Sequence, residues 1–193
     1  MKQYIFLIIG WAVYFTLHSV LAKSSVKLFI KQTIPSGFKF YRLVYTVVST
    51  VGLLILLLMN ASIESDYLIN PSAWNRYFSL MLATIGIFIL KAAFRQYNLS
   101  GFMGLKDDDH EEFKMGGILQ HIRHPLYTAT ILIALGFWLF IPNVTTLVSV
   151  LCIFIYLAVG IPLEESRLIK KYGEQYREYR KKVPALIPGF RKR

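Results

Sequence analysis

Two groups of residues in this sequence have the side chains that a binding or catalytic site needs. The first lies in Gln120–Tyr127, QHIRHPLY, which places an arginine and two histidines beside a proline at the start of an apolar run. The second is Glu164-Glu165, which follows a later apolar run. Histidine changes charge near neutral pH, arginine presents a fork of donors to carboxylates, and ionised acids accept hydrogen bonds from hydroxyl groups. Together they could bind a ligand that carries both an acidic group and hydroxyl groups.

The residues after Arg123 have the features of a helix N-terminus. Pro125 suits the first helical position, where its missing N–H is no loss, so His124 is the predicted cap. The unpaired N–H groups and the positive end of the helix dipole favour an anion there. Arg123 adds a permanent positive charge at the same place. We therefore predict an anion site at the start of this helix.

The acid pair stands at the predicted end of an apolar helix, where negative charge opposes the helix dipole. Three interpretations are open: a structural salt bridge to Arg123, two solvated acids at a new helix start if Pro162 kinks the chain, or a bound ligand. In the third interpretation the acids bind ribose hydroxyls, while Arg123 and the helix start bind a carboxylate. S-adenosylmethionine carries both groups and a positive sulfonium as well.

The elements that must position these residues are predicted membrane spans. Of the 193 residues, 55% are hydrophobic and 17% are charged, and the apolar residues form five blocks. Such blocks match a hydrocarbon core about 30 Å thick. The predicted spans are Tyr4–Ala22, Leu43–Met59, Tyr77–Leu90, Leu126–Ile141 and Val144–Leu163. We therefore predict an all-α membrane protein with five transmembrane helices in one integral-membrane domain, 1–193. Its three N-terminal spans lie in 1–95 and the site in 96–193.

The fourth and fifth spans are joined by little more than Pro142-Asn143. So short a link makes them an antiparallel helical hairpin, which brings the start of one beside the end of the other. After Leu163, apolar and aromatic residues recur at spacings of three and four, which predicts an amphipathic cytoplasmic tail helix. This periodic set is Leu168, Tyr172, Tyr176, Tyr179 and Val183. The tail helix would lie on the membrane surface, cover a pocket at the mouth of the hairpin, or do both.

The formal net charge of +11 is distributed unevenly. Basic residues concentrate after the first span, after the third span and in the tail, whereas Lys2 and Arg76 are the exceptions. This pattern predicts an N-terminus outside and a cytoplasmic C-terminus, with the bacterial inner membrane as the expected location. The expected partner is the lipid bilayer. No nucleic-acid-binding motif is recognisable, so we expect no nucleic-acid partner.

Metal binding is the main chemical alternative for the histidines. His121 and His124 could share a helical face and hold one metal ion with a glutamate, but four histidines are too few for a di-iron oxygenase. We predict no metal. His18 is an ionisable group inside a predicted span, and is either a site residue or a neutral imidazole bonded to a neighbouring helix. Cys152, the one cysteine, is interpreted as packing, and the acidic stretch at 107–112 is left without a role.

Two C-terminal stretches resemble integral-membrane methyltransferases typified by isoprenylcysteine carboxyl methyltransferase. They are GGILQHIRHPLYTATILIALG and PLEESRLIKKYGEQYREYRKKVPALIP, within 116–188. The matching residues are Arg123, His124, Pro125, Tyr127, Gly136, Pro162, Glu164, Glu165, Gly173, Tyr176 and Tyr179. Earlier pieces, LHSVLAKSSVK, FYRLVY and YNLSGFMGL, are more similar to bacterial relatives that methylate small thiols such as methanethiol, and to NnrU-like proteins.

This resemblance implies a methyltransferase whose S-adenosylmethionine lies between the hairpin and the tail. The residues implied to bind it are Gln120, His121, His124, Pro125, Tyr127, Glu164, Glu165 and Tyr176. Arg123 and Glu165 are the implied catalytic residues, with Arg123 orienting the substrate or the methionine carboxylate. Ala129 stands where a glycine is common in the family, which would narrow the pocket wall.

The expected reaction is methyl transfer to a thiol or carboxylate of a small apolar or lipidic molecule that arrives from the membrane. The first alternative is an NADPH-dependent membrane lipid or sterol reductase, since those enzymes also combine an arginine-proline-tyrosine motif with a hairpin. The second is a non-enzymatic membrane factor of the same fold. Equilibrium binding of S-adenosylhomocysteine against NADPH would separate the two enzymatic hypotheses.

Overall fold

The computed structural model describes residues 1–96 and 113–189, and in these ranges the chain is almost entirely helical. The α-helices are α1 (Lys2–Ala22), α2 (Ser24–Thr33), α3 (Pro35–Ser62), α4 (Ala73–Phe94), α5 (Pro125–Phe140), α6 (Val144–Tyr172) and α7 (Glu174–Lys182), with a 3-10 helix at Gly117–Gln120. The sequence pieces YNLSGFMGL and DDDHEE lie outside the described residues.

The long helices of this chain are those of a multi-pass membrane protein. Within the described residues, four segments are long and apolar enough to cross a membrane. They are Lys2–Ala22, Leu43–Ser62, Ala73–Phe94 and Val144–Tyr172. The fifth predicted span corresponds to α5, which is apolar but has 16 residues and a length of about 24 Å. That is shorter than a hydrocarbon core of about 30 Å, so helix length alone supports four crossings.

The segment between the first two spans is more structured than the sequence interpretation allowed. From the sequence we described only a concentration of basic residues after the first span, whereas the structure contains the ten-residue helix α2 there. Val26, Phe29 and Ile30 lie at spacings of three and four, which gives this helix one apolar face. Because lysines surround these apolar residues, the helical periodicity was not recognised from the sequence.

Small residues let α4 and α5 pack with their backbones close together. A Cβ on Gly136 would lie 2.7 Å from the Ser79 carbonyl oxygen, and one on Gly86 would lie 3.0 Å from the Ala129 carbonyl oxygen. Close approach through small residues is typical of membrane helices. In lipid the hydrophobic effect does not drive helices together, so their association depends on close van der Waals packing. α5 is thereby fixed along the length of α4.

The predicted hairpin of α5 and α6 is present. Its turn is held by Asn143, whose side chain accepts a hydrogen bond of 2.8 Å from the Thr146 N–H at the start of α6. The loop between α3 and α4 meets the same turn, because the Leu68 N–H donates to the Pro142 carbonyl at 2.8 Å. The two helices therefore run antiparallel, and their other ends lie together.

Helix α6 extends further than predicted and carries the acid pair inside it. It continues through Pro162 to Tyr172, so the expectation that Glu164 and Glu165 end a helix is wrong. They lie about two turns before its C-terminus. The tail is also divided: Gly173, with φ of 58°, separates α6 from α7, so the periodic set predicted as one helix spans two.

Buried polar side chains connect α1, α3 and α6 in the apolar interior. The Trp11 indole N–H donates to the Ser149 hydroxyl at 3.0 Å, and that hydroxyl donates to the Asn60 side-chain oxygen at 2.7 Å. The Asn60 amide in turn donates to the Thr146 hydroxyl at 3.2 Å. Such bonds between membrane helices are each worth about 0.6–2 kcal/mol and fix the helices in one register.

Candidate functional site

The site is built around the start of α5. Pro125 occupies the first turn of this helix and His124 is its N-cap, as predicted. His124 is 3% exposed, and its ring stands edge-on to Tyr127 with 5.5 Å between the ring centroids. The imidazole is therefore held in a fixed orientation, pointing towards α6.

Glu165 is the centre of an ion cluster. Its Oε1 lies 2.6 Å from Arg123 Nη2 and 3.1 Å from His124 Nε2, and its Oε2 lies 3.2 Å from Arg180 Nε. The Glu165 and Arg123 side chains are nearly buried, at 9% and 10% exposed. A buried carboxylate needs such partners, because removing charge from water costs several kcal/mol per ion. The salt bridge to Arg123 considered from the sequence is present.

The segment after α7 folds back over the start of α5. The Arg123 N–H donates to the Pro184 carbonyl at 2.9 Å, and the His124 N–H donates to the Ala185 carbonyl at 3.0 Å. The Thr128 hydroxyl donates to the Leu186 carbonyl at 2.8 Å. We call residues 183–188 the C-terminal segment. One N–H group at the predicted anion site, that of the cap residue His124, thus already donates to a carbonyl group, and the anion site itself stays a prediction.

The guanidinium of Arg123 also binds the end of the chain. Its Nη1 donates to the Arg180 carbonyl at 2.7 Å and to the Val183 carbonyl at 2.9 Å. Arg123 therefore joins the start of α5, α6, and the last turn of α7 with the residue that follows it. This side chain is consequently part of the framework of the site as well as a source of positive charge.

Glu164 and Tyr127 form the more open part of the site. The Glu164 side chain is 42% exposed, and its Oε2 lies 3.9 Å from His124 Nδ1. The Tyr127 hydroxyl interacts with the same carboxylate. It also packs over Gly160, where a Cβ would lie 3.2 Å from the phenol oxygen. The absence of a side chain at position 160 thus makes room for Tyr127.

Two buried polar atoms at the site lack partners. Among the described residues, Arg123 Nε and the Tyr176 hydroxyl are buried and make no hydrogen bond. Burial and the nearby Glu165 carboxylate raise the pKa of Tyr176 to about 12, so its hydroxyl keeps its proton. Unsatisfied buried polar groups are rare and cost about 1–3 kcal/mol each. Two of them together indicate a place where a ligand could bind.

Aromatic rings enclose the site on the side of α7. Phe113 contacts Tyr172, Tyr176 and Tyr179 with centroid distances of 4.9, 5.7 and 5.2 Å. The Tyr179 hydroxyl donates to the Leu119 carbonyl at 2.6 Å. This packing ties α7 to the 3-10 helix.

The structure brings most of the predicted site residues together. Those in or against the cluster are Arg123, His124, Pro125, Tyr127, Glu164, Glu165 and Tyr176. Gln120 and His121 are exposed, and within the described ranges no hydrogen bond or ion pair joins either side chain to this cluster. No group of three histidine, cysteine or acidic residues in 1–96 and 113–189 is arranged to hold a metal ion.

An apolar cavity of about 330 Å³ lies between α1, α3, α5 and α6, and Tyr127 forms part of its wall. His18 and Tyr156 line it as well. Ala129 does not: it is fully buried, and its carbonyl oxygen faces Gly86 of α4. The expectation that Ala129 narrows the pocket wall is therefore wrong, because this residue packs between helices.

A protein-family model described as "NnrU protein" matches residues 6–188 of this chain. The chain belongs to the NnrU family. The match extends over the whole described core, from α1 through the C-terminal segment.

Named relatives of this NnrU-family chain are methyltransferases. Methanethiol S-methyltransferase of Crocosphaera subtropica is 29% identical over 190 residues, which is 91% of this chain and 71% of that protein. The enzyme of the same name from Pseudomonas deceptionensis is 26% identical over 187 residues, covering 91% and 69%. Protein-S-isoprenylcysteine O-methyltransferase of Schizosaccharomyces pombe is 38% identical over 73 residues, covering 37% and 31%. The resemblance inferred from the sequence is confirmed.

Parts of the NnrU-family site were missed from the sequence. Arg180 was not assigned to it, although it pairs with Glu165, and neither were the carbonyl groups of Pro184 and Ala185. Two prolines, at 184 and 188, mark a stretch that cannot continue α7 and has exposed backbone acceptors. That signal predicts a non-helical end, but not its docking on α5.

Proposed function

We propose that this chain is an integral-membrane methyltransferase that uses S-adenosylmethionine to methylate a thiol or carboxylate of a small apolar or membrane-associated molecule. The observation that carries the proposal is the meeting of two distant motifs, with Glu165 Oε1 3.1 Å from His124 Nε2. The methyltransferase names of relatives that align with 91% of the chain support it. Relatives with these names do not favour the reductase alternative.

The groups at this site fit S-adenosylmethionine. The unpartnered Arg123 Nε and Tyr176 hydroxyl can each donate a hydrogen bond to a carboxylate or an adenine nitrogen. Glu164 and Glu165 can accept hydrogen bonds from ribose hydroxyls, and Glu164 is exposed enough to do so without rearrangement. When bound, S-adenosylmethionine supplies a methyl group on a positively charged sulfur.

Within this proposal each residue has a defined task. Glu164 and Glu165 bind the ribose and adenine side, while His124, Pro125 and Tyr127 form the pocket floor at the start of α5. Arg123 orients the carboxylate through Nε and at the same time holds Glu165 in place. Gln120 and His121 stand at the rim, and Tyr176 covers the pocket from α7.

The catalytic contribution expected of this site is alignment in a dry environment. Holding a nucleophile in line with its target is worth about 7–11 kcal/mol in well-oriented reactions. Tyr127, which borders both Glu164 and the apolar cavity, lies where acceptor and donor would meet. A carboxylate acceptor needs no general base.

We further propose that α5 is a short fifth crossing of a single domain, 1–193, in a bacterial inner membrane. The contact between Leu68 and Pro142 supports this, because it places the far end of α5 on the side of the loop between α3 and α4. The bias of lysine and arginine supports a cytoplasmic C-terminus and an outside N-terminus. The lipid bilayer is the proposed partner, and nucleic acid is not.

The proposed function is tested by equilibrium binding to the purified protein in detergent. We expect S-adenosylhomocysteine to bind and NADPH not to bind. Glu164→Gln should weaken S-adenosylhomocysteine binding by roughly tenfold or more, the effect of a lost charge-assisted hydrogen bond.

The matched control is Glu178→Gln, an exposed acid on α7 that pairs with Lys181. Binding of NADPH without S-adenosylhomocysteine would refute the proposal. Equal losses in Glu164→Gln and Glu178→Gln would refute the assigned site.

A further inference from the structure

A second polar cluster lies inside the membrane part of the protein, away from Glu165. His18 Nδ1 is 3.2 Å from the Ser49 hydroxyl, and the Tyr45 hydroxyl is 3.3 Å from Nδ1 and 3.2 Å from Nε2. At 3.2–3.3 Å these contacts are at the long end of the hydrogen-bond range, and the single Tyr45 hydroxyl cannot bond both ring nitrogens well at once. A ligand with a hydrogen-bonding group can therefore compete for a nitrogen of this imidazole.

His18 faces the same cavity as the site residue Tyr127. Both side chains line the space of about 330 Å³ between α1, α3, α5 and α6. Tyr127 also interacts with Glu164 and His124. The cavity thus connects the intramembrane polar cluster with the edge of the proposed methyl-donor site.

The chemistry of the cavity wall restricts what can occupy it. Of the residues described as lining it, none is an aspartate, glutamate, lysine or arginine. A carboxylate entering this space would lose its hydration without gaining a cation, which costs several kcal/mol. A neutral thiol has no such cost, and its apolar body fits beside Leu53, Leu126 and Leu157. The volume is at the lower end of small-molecule cavities, roughly 300–1,000 Å³.

We propose that His18, supported by Tyr45 and Ser49, binds the S–H group of a small apolar thiol in this cavity and positions it as the methyl acceptor. This inference rests on the proposed function and narrows its acceptor from thiol or carboxylate to a neutral thiol. His18 acts here as a positioning and specificity residue, because the thiol S–H donates one hydrogen bond to an imidazole nitrogen. On transfer, the bond between the thiol sulfur and the methyl carbon forms as the bond from that carbon to the sulfonium breaks, S-adenosylhomocysteine leaves, and the thiol proton passes to water.

The kinetic test compares the parent protein with His18→Phe, which fills the space and removes the ring nitrogens. Methyl transfer is measured for primary alkanethiols from methanethiol to butane-1-thiol. We expect KM for each thiol to rise by roughly tenfold, the size of one lost hydrogen bond, with kcat within about twofold. Thr16→Ala is the control, because Thr16 is exposed on α1 and bonds only its own helix, at the Ala12 carbonyl.

A binding test without methyl donor gives an independent readout. Trp11 lines the cavity and is one of three tryptophans, so Trp74→Phe with Trp138→Phe leaves it as the single fluorophore. We expect butane-1-thiol to quench Trp11, butanoate not to quench it, and His18→Phe to weaken the thiol effect by roughly tenfold. Should His18→Phe fail to fold, Ser49→Ala takes its place, with a smaller effect in the same direction.

The experimental results that would overturn this inference differ from those that would overturn the proposed function. Unchanged KM and quenching in His18→Phe, or butanoate binding as tightly as butane-1-thiol, would overturn the inference alone. So would a parent protein that binds S-adenosylhomocysteine but methylates none of the thiols. A parent protein that does not bind S-adenosylhomocysteine would overturn the proposed function itself.

Discussion

Glu165 contributes to both the stability and the ligand chemistry of this protein. Its two oxygens contact Arg123, His124 and Arg180, which come from three different parts of the chain. Arg123 in turn donates to two backbone carbonyls near the C-terminus. The carboxylate therefore connects α6, the start of α5 and the end of the protein. A change at this residue should alter folding as well as binding.

The stability part of this statement can be measured with Glu165→Ala. Removing the carboxylate leaves the nearly buried Arg123 without its acid, a situation that typically costs 3–5 kcal/mol. We expect the free energy of unfolding to fall by about 3 kcal/mol, measured by chemical unfolding in detergent micelles with circular dichroism. Arg180→Ala should cost about 1 kcal/mol or less, because Arg180 is half exposed. Equal losses for both variants would contradict this account.

Tyr176→Phe separates ligand binding from stability. Because the Tyr176 hydroxyl is buried without a partner, its removal should leave the unfolding free energy unchanged or slightly raised. Binding of S-adenosylhomocysteine should nevertheless weaken by roughly tenfold, since the hydroxyl would lose its partner in the complex. Thermal unfolding and equilibrium binding on the same sample would test both. A clear loss of stability with unchanged binding would mean that the hydroxyl serves the fold.

The raised pKa of Tyr176 also predicts a direction with pH. In the unfolded chain the phenol titrates near 10.0, whereas burial raises the pKa in the folded protein to about 12. The folded state therefore holds more protons between these values, so the Tyr176 contribution to stability is complete below pH 10 and is lost as pH rises towards 12. Tyr176→Phe should reduce this alkaline loss, measured as the difference in unfolding free energy between the two proteins across that range.

At the scale of whole elements, the contact between α4 and α5 depends on residues without side chains. A Cβ on Gly136 would meet backbone atoms of α4, the Ser79 carbonyl oxygen at 2.7 Å and the Ala83 nitrogen at 3.2 Å. Gly136→Ala must push the helices apart, and overpacking of this kind typically costs 1–3 kcal/mol. In Gly10→Ala the nearest atom is the flexible end of Leu56, at 2.9 Å, so the cost should be smaller. Thermal unfolding of the two variants tests whether Gly136→Ala lowers the melting temperature more than Gly10→Ala does.

Helices and turns were predictable from the sequence where local chemistry determines them. The apolar blocks gave the long helices, Pro125 gave the start of α5, and Pro142-Asn143 gave the hairpin. Helix ends set by tertiary contacts were not predictable. α6 continues past Pro162 and places Glu165 against partners from elsewhere in the chain, and the C-terminal segment covers the helix start at Arg123. Neither partner could be assigned from spacing alone.

At the scale of the whole molecule, the hairpin determines on which side of the membrane the chain finishes. The start of α5 and the Glu165 region of α6 are in contact, so the pair returns the chain to the side from which α5 began. This argument does not depend on whether the short α5 crosses fully. The C-terminus must therefore lie on the same side as the end of α4, and our proposal, from the distribution of lysine and arginine, is that this side is the cytoplasm.

Reporter fusions expressed in a bacterium test this topology. Green fluorescent protein, which folds in the cytoplasm, should fluoresce when fused after position 193, whereas alkaline phosphatase, which needs export, should be inactive there. The opposite pattern is expected after Asn70, in the loop between α3 and α4. Replacing basic residues of the tail should not invert the molecule, because the lysines and arginines after the first and third spans still favour the cytoplasmic side. Phosphatase activity at both fusion positions would show that α5 and α6 do not return the chain to the side from which α5 began. It would also contradict the proposed position of the ligand site at the cytoplasmic surface.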